Sequence, residues 1–570
     1  MAGITAPFTG GTRTRPLALE TMPPEILALI LEFLVPEPPE IGETRPVAYD
    51  QLMVDEPWYD YTRCRRGLHS ACLASRRLNE LASPLLYRLV SIWDETGLLL
   101  FFRTLCNKPE NGAWTRYLSC HITLTRLTVI REVRRVLGAY LDTFKPAPEV
   151  DVLTAATANF VKMLARFLPH MVVSEGDFDH VPQALLCFIL MSLPKLETLL
   201  MEVPISDEHP EYDVLCHQIA GMKDLFSRQP ESAPFQNIRT LLLQGDPELI
   251  AHFDHEDCDC DIPEVFGAQP RRYAALFASF PKLETLEVSS DDGVWNNLLD
   301  EPDFFHASSS HPFHANSSIS TSISISNTGP APPYLANIKH LYLHDSVAHP
   351  NDLRQVLLNA PQLETLYMAS RRDGTVRDPF EDSGPHAHPE ALDMALAEHA
   401  KHLRNLDLSW EDLEGYEPLV GPEGRLASLA HMTQLQTLCI QMAVLYGKPA
   451  AVLENPLVDL LPPNLVSLTL EDWWWSNAAL LDDLPTWTNQ QKVRHYQAQH
   501  NYRVSALRTL SQFARDVRTR LGKLKKVCLL CRIPWTWTLE GAVPIEFHFE
   551  AVRSLFLKEG VEFSVRGDEV

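Results

Sequence analysis

One short phrase recurs along most of the chain and limits what the chain can fold into. The phrase has the form apolar-x-x-Leu-x-apolar, and weaker copies of it cover residues 116–124 and 523–529. Because side chains alternate along a strand, the leucine and the last apolar residue share one face, so each copy predicts a strand with one buried face. The clear copies begin at Leu196, Ile238, Leu283, Ile338, Leu363, Leu403, Leu435 and Leu465.

Helical spacing of apolar residues precedes many of these predicted strands, as at 272–279, 352–359 and 390–400, and a proline such as Pro194 often joins helix to strand. This alternation predicts an α/β chain. Successive copies lie about 25 to 60 residues apart, so some units carry insertions. The largest insertion, 306–333, is rich in Ser, Ile, Thr and Pro, and we expect a mobile loop there. Ordinary strands of an unrelated α/β fold are the alternative interpretation of the phrase.

A short, strongly apolar helix is predicted just after the N-terminal residues 1–16, which we expect to be disordered. Pro24 suits a first helical turn and Glu25 complements the positive end of the helix dipole. The apolar residues form two neighbouring stripes, which together are wider than one buried face needs. One stripe can pack inside its own domain and the other favours a partner, although a plain core helix is the alternative. The stripes consist of Ile26, Ile30 and Phe33 and of Leu27, Leu31 and Leu34.

A second helical pattern runs over residues 68–90, with a break near Pro84. An insert at 36–66, rich in Pro, Glu and Tyr, separates it from the first helix. Loop closure becomes costlier only slowly with length, so we expect this insert to be tolerated as a surface loop.

Residues 22–27 with Ile30 and Leu34, followed by 75–78 and 81–87, resemble the F-box as it occurs in fungal F-box proteins. Met22 stands where that family usually has leucine. The recurring phrase resembles the strand half of a leucine-rich repeat over roughly 110–530, without the usual Asn after the strand.

These resemblances imply an α/β protein with an N-terminal helical F-box over 17–92, then an irregular leucine-rich-repeat solenoid over 110–530. Residues 531–570 would form a C-terminal cap and tail. The implied function is that of a non-catalytic substrate-recognition subunit of a Skp–cullin–F-box E3 ubiquitin ligase. A protein-interaction scaffold that uses the repeats without a ligase is the alternative, and an enzyme hidden in the repeats is a third reading.

The resemblance assigns docking of the Skp-family adaptor to apolar residues of the two helical stretches. They are Pro23, Ile26, Leu27, Ile30, Leu31, Leu34, Leu73 and Leu78. An unknown target protein would bind the outward row of the stacked strands, where aromatic and polar side chains can provide contacts. The candidates are Tyr342, His344, Tyr367 and Asp407, with Trp474 from a run of three tryptophans that alternatively caps the end of the array.

Charge and cysteine content limit the partners and the compartment. The chain has 74 acidic and 49 basic residues, a net charge of −25, so it repels phosphate backbones and anionic lipid surfaces. We therefore expect neither nucleic-acid nor membrane binding, and no apolar run approaches the ~20 residues of a membrane span. The 11 scattered cysteines are interpreted as reduced, which favours the cytoplasm or the nucleus.

Catalytic and metal-binding motifs are weak in this sequence. His252, His255, Cys258 and Cys260 are ligand types that suit zinc, but Cys-x-Cys is tight for a tetrahedral site and an acidic exposed loop is the simpler interpretation. The sequence has neither a Gly-rich phosphate-binding loop nor a Gly-x-Ser-x-Gly elbow. We expect no catalytic residue, no metal and no cofactor.

Overall fold

The fold was examined in a computed structural model, which describes fourteen stretches of the chain. They are residues 22–35, 56–92, 95–120, 180–203, 235–245, 274–289, 335–346, 350–370, 389–410, 426–442, 445, 456–472, 507–531 and 549–567. Within them, three N-terminal helices are followed by one open, 12-stranded parallel sheet in which every strand lies beside its neighbours in sequence. The protein is thus an α/β protein, as the recurring phrase predicted.

The three N-terminal helices are α1 (Pro24–Glu32), α2 (Glu56–Ala74) and α3 (Arg76–Leu86). Ser75 caps α3, because its hydroxyl accepts a hydrogen bond from the backbone N–H of Leu78 at 3.3 Å. The three helices enclose a small apolar core of their own around Leu31, Leu68 and Ala82. Helix α2 begins twelve residues before the predicted start, so the last part of the presumed loop insert is helical.

The twelve strands are β1 to β12 in chain order. Their bounds are Leu89–Ile92, Tyr117–Cys120, Thr198–Val203, Thr240–Gly245, Thr285–Ser289, His340–Ser346, Thr365–Ser370, Asn405–Trp410, Thr437–Gln441, Ser467–Asp472, Lys526–Cys531 and Glu562–Gly567. Every clear or weaker copy of the phrase is one of these strands. The sheet also extends past the predicted array, since β1 lies within the segment assigned to helices and β12 within the segment assigned to a cap.

Helices lie between many of the strands. Parallel strands need such crossovers, because the chain must return to the end of the sheet where the previous strand began. The helices are α4 (Glu95–Asn107), α5 (His180–Met191), α6 (Ala274–Ser279), α7 (Pro350–Asn359), α8 (Pro389–His399), α9 (Leu457–Leu460), α10 (507–520) and α11 (Glu550–Lys558). Short 3-10 turns cover Pro109–Trp114 and Ala427–His431. The predicted helices at 272–279, 352–359 and 390–400 correspond to α6, α7 and α8. None of the described helices is long and apolar enough to cross a membrane.

The apolar positions of the phrase form a single continuous core that runs from Val90 to Phe563. The leucines at the fourth position are at most 1% exposed, because they lie between the sheet and the crossing segments. They are Leu199, Leu241, Leu286, Leu341, Leu366, Leu406, Leu438 and Leu468. Burial of each such side chain contributes about 1.5–3 kcal/mol, so the repetition of this position stabilises the whole sheet.

The chain enters strands β3 to β11 through the same tight turn. In one copy the N–H of Leu283 donates to the carbonyl of Phe280 at 3.1 Å, and the N–H of Glu284 then donates to the carbonyl of Arg239 at 2.9 Å in the preceding unit. Equivalent bonds recur from unit to unit, so the residue before each strand lies beside its counterpart. Seven of these residues alternate in charge and form what we call the strand-entry charge row: Arg116, Glu197, Arg239, Glu284, Lys339, Glu364 and Arg404.

The N-terminal helices join the sheet directly. Helix α3 ends at Leu86 and β1 begins at Leu89, while Tyr87 between them packs against the large apolar core. The ring of Tyr87 lies 6.5 Å from that of Trp114, measured between centroids. The predictions made for residues 1–16 and 306–333 lie outside the described residues.

Candidate protein-binding surfaces

Helix α1 has two faces with opposite surroundings. Pro23 precedes the helix and Pro24 occupies its first turn, where a missing N–H breaks no helical bond. On one face Leu27 and Leu31 are 1% and 5% exposed, and Leu31 packs into the small core of the three helices. Leu34 and Leu78 pack against the same core and are partly buried.

The other face of α1 is uncovered. It carries Ile26, Leu29, Ile30 and Phe33, which are 45%, 56%, 42% and 87% exposed. Leu73 of α2 is 74% exposed. We call Ile26, Leu29, Ile30 and Phe33 the exposed α1 face. Their spacing of three, four and seven residues places them on one side of the helix, which is the pattern of a helix that binds an apolar groove.

The residues predicted to bind an adaptor therefore divide into three groups. Pro23, Ile26, Ile30 and Leu73 are exposed, as such contacts require. Leu34 and Leu78 lie at the edge of the small core. Leu27 and Leu31 do not offer the surface expected of them, because they are the residues that hold α1 to the rest of the chain.

Two residues of the exposed α1 face were left out of that prediction. Phe33 had been placed on the stripe of Ile26 and Ile30, and its spacing of three from Ile30 was sufficient to include it. Leu29 lies three residues after Ile26 and could have been found in the same way.

The register of the strands confirms the outward row predicted for the stacked strands, which we call the middle outward row. Each member lies opposite the next on the neighbouring strand: Leu200, Leu242, Glu287, Tyr342, Tyr367, Asp407, Cys439 and Thr469. Tyr342, Tyr367 and Asp407 are partly exposed, which fits the role assigned to them. Glu287 is only 6% exposed, so part of this row is covered.

His344 differs from its prediction. It was expected on an open surface and is instead 2% exposed. His344 pairs in regular register with Ser289 on β5, and the register against β7 shifts between Leu343 and Ser346. The rings of Tyr342 and Tyr367 lie beside it, at centroid distances of 6.4 Å and 4.8 Å.

Glu287, Tyr342, His344 and Tyr367 form a cluster that we call the tyrosine–glutamate cluster. His344 Nε2 lies 3.3 Å from Glu287 Oε1, without the alignment of a hydrogen bond. The two tyrosine rings are 6.3 Å apart and tilted by 39°. Burial raises the pKa of the Tyr342 phenol, and the negative charge of Glu287 raises it further.

A second polar group lies further along the sheet, on β8, β9 and β10. The Ser409 hydroxyl donates to Glu471 Oε2 at 2.9 Å, and the Cys439 thiol donates to Glu471 Oε1 at 3.7 Å. Burial raises the pKa of Cys439 well above its ordinary value, and the charges of Asp407 and Glu471 add to this effect. The thiol therefore stays protonated at neutral pH and is a poor nucleophile.

Within the described ranges, no group of three His, Cys, Asp or Glu side chains could hold a metal ion. The sequence candidates His252, His255, Cys258 and Cys260 lie outside the described residues, as does Trp474.

The chain was also compared with known proteins. No protein-family model matches it, and no curated protein is significantly similar to it in sequence. Its function therefore has to be inferred from its own residues.

Proposed function

We propose that this protein is the substrate-recognition subunit of a Skp–cullin–F-box E3 ubiquitin ligase, working in the cytoplasm or the nucleus. In this proposal α1, α2 and α3 form the F-box and bind the Skp-family adaptor. The parallel sheet and its crossing segments form an irregular leucine-rich-repeat solenoid that binds a target protein. The chain contributes proximity between target and ligase rather than covalent chemistry.

The exposed α1 face is the observation that supports this proposal most. A helix of nine residues that leaves Ile26, Leu29 and Ile30 about half exposed, and Phe33 more so, keeps apolar surface in water at a cost. Contiguous apolar surface of this kind is typical of protein-binding sites. Two residues of this face, Ile26 and Ile30, are also among those on which the resemblance to the F-box depends.

The short connection between α3 and β1 supports the second half of the proposal. Tyr87 packs against the core of the sheet, so the adaptor-binding helices and the outward strand rows belong to one packed unit. A fixed relative position is useful to a substrate receptor, because a bound target is then held at a constant distance from the ligase.

Capture of the adaptor by the full chain tests the proposal. We expect Ile30→Asp to abolish co-purification with a Skp-family adaptor, because a buried, unpaired carboxylate at the interface is strongly unfavourable. Leu358→Asp is the matched control, since Leu358 of α7 is 41% exposed, close to the 42% of Ile30, but lies on the sheet-bearing part of the chain. Equal adaptor capture by the Ile30→Asp chain and the unmodified chain would overturn the assignment. It would leave a protein-interaction scaffold as the remaining function.

A further inference from the structure

The outward rows of the sheet between β4 and β10 include three acidic side chains. The middle outward row and the row two residues further along each strand contain Glu287, Asp407 and Glu471 and neither lysine nor arginine. The members of the second row are Gln244, Ser289, His344, Ala369, Ser409, Gln441 and Glu471. Glu471 accepts hydrogen bonds from Ser409 and Cys439, so its carboxylate is already satisfied. The acidic rows alone therefore indicate only a preference for positive partners.

Glu287 differs from that satisfied carboxylate. It is 6% exposed, and its Oε2 has no hydrogen-bond partner. His344 beside it is 2% exposed, and neither ring nitrogen has a hydrogen-bond partner. A buried carboxylate with an unused acceptor is unfavourable, and a donor from another molecule would relieve this cost.

The tyrosines supply the other half of a site. Tyr342 and Tyr367 are partly exposed; Tyr342 lies opposite Glu287 in the register, and Tyr367 lies opposite Tyr342 on the next strand. The charge of Glu287 contributes to the raised pKa of Tyr342, so the carboxylate and the phenol are electrostatically coupled. Aromatic faces attract cations, and a carboxylate on the neighbouring strand strengthens the attraction.

We propose that the tyrosine–glutamate cluster binds the guanidinium group of an arginine side chain in the target protein. A guanidinium is flat, so it stacks on tyrosine faces, and its fork of N–H donors matches the geometry of a carboxylate such as that of Glu287. The compact ammonium of lysine lacks the flat stacking surface and should bind less well. This inference rests on the proposed function in taking the outward sheet face as the place where a target binds.

The test uses the full chain without the adaptor and labelled peptide pools with randomised flanks and one fixed central residue. The central residue is arginine, lysine, the neutral arginine analogue citrulline, or glutamate, and binding is followed by fluorescence anisotropy. We expect the arginine pool to bind at least roughly tenfold more tightly than the citrulline pool. Glu287→Gln should remove most of this difference, and Tyr342→Leu should reduce it.

Glu562→Gln is the matched control, because it makes the same change in charge at an exposed position where β12 begins. It should leave the preference for arginine unchanged. Equal binding of the arginine and citrulline pools, absence of binding to every pool, or an unchanged preference in a folded Glu287→Gln chain would overturn the inference. Adaptor capture by the same preparations reports separately on the proposed ligase role, so the two can fail independently.

Discussion

Arg77 Nη2 donates a hydrogen bond to the backbone carbonyl of Met22 at 2.7 Å and so ties α3 to the residue just before α1. The bond crosses 55 residues of sequence and fixes the start of the helix that carries the exposed face. A guanidinium that bonds a carbonyl in a partly buried position holds it more firmly than a neutral donor would.

We expect Arg77→Ala to weaken adaptor binding several-fold. The variant loses the hydrogen bond that holds the residue before α1 to α3, so α1 is held less rigidly while its apolar residues stay unchanged. The free energy of unfolding should fall by about 1.5–3 kcal/mol, the usual range for a hydrogen bond to a charged group. The comparison is Arg76→Ala, since the neighbouring Arg76 side chain is 94% exposed and pairs only with Glu80 on its own helix in the described bonds. Equal losses in the two variants, measured by adaptor titration and urea unfolding, would contradict this role for Arg77.

Phe33 provides a test that separates binding from folding. Its side chain is 87% exposed, so Phe33→Ser should change the free energy of unfolding by less than about 0.5 kcal/mol. Adaptor affinity should nevertheless fall by about tenfold or more, because a large aromatic contact is lost from the interface. Leu557→Ser on α11 is the control, since Leu557 is 72% exposed and far along the chain. An adaptor dissociation constant that is the same for both variants would remove Phe33 from the site.

The strands could be predicted from the sequence because their signal repeats. Each copy places apolar residues at the same three positions, and those positions fill one continuous core. A wrong prediction for one copy would therefore have left the other strands correctly predicted. The middle outward row followed from the same periodicity. Pairs of opposite residues such as Tyr342 and Tyr367 could then be predicted by aligning equivalent positions of neighbouring copies.

The predictions that were wrong failed for local reasons that the spacing of apolar residues does not encode. His344 is buried, as are Ser409, Gln441 and Glu471 at the equivalent position of later strands, and the alternation of side chains does not show that this side of the sheet is covered there. Helix α2 starts at Glu56 inside a segment whose Pro and Tyr content favoured a loop. For α1 the pattern showed two apolar stripes, but the packing of Leu68 and Ala82 decided that the stripe of Leu27 and Leu31 is the buried one.

Gly112 is a position where only glycine fits. A Cβ added there would collide with the backbone carbonyl oxygen of Ser192, which belongs to the turn after α5. Because backbone on both sides cannot easily move, we expect Gly112→Ala to destabilise the protein by about 1–3 kcal/mol. Gly522→Ala should be nearly neutral, as nothing lies within 4 Å of the added carbon. Thermal unfolding of the two variants gives the comparison, and similar midpoints for both would show that the turn can yield.

Cys439 should be unreactive in the folded protein. Alkylation requires the thiolate, and burial together with the charges of Asp407 and Glu471 raises the pKa of this thiol well above 9.0. We expect iodoacetamide to label Cys439 far more slowly in the folded chain than in urea, as measured by peptide mass spectrometry. Glu471→Gln should increase the folded rate only slightly, because burial is the main cause of the shift. Equal rates in folded and unfolded protein would show that the sheet face opens easily at this point.

The strand-entry charge row predicts a stability that depends on pH. Lys339 Nζ lies 2.9 Å from Glu284 Oε1, and its hydrogen bond lowers the pKa of Glu284 below the ordinary 4.5. A carboxyl with a lowered folded pKa stabilises the folded state fully above 4.5, and this contribution is lost as the pH falls through the folded value. Since both side chains are more than one third exposed, the pair contributes at most about 1 kcal/mol.

Lys339→Gln should therefore lower the free energy of unfolding at neutral pH by up to about 1 kcal/mol and have little effect at a pH below the folded pKa of Glu284. High salt should reduce the difference at neutral pH, because exposed charges are screened. Lys282→Gln is the matched control, since Lys282 Nζ bonds the neutral amide oxygen of Asn237 at 3.0 Å rather than a carboxylate. Urea unfolding across this pH range should show a pH-dependent loss for Lys339→Gln and none for Lys282→Gln. A loss of equal size at every pH would mean that Lys339 stabilises the row through packing of its methylene groups instead of its charge.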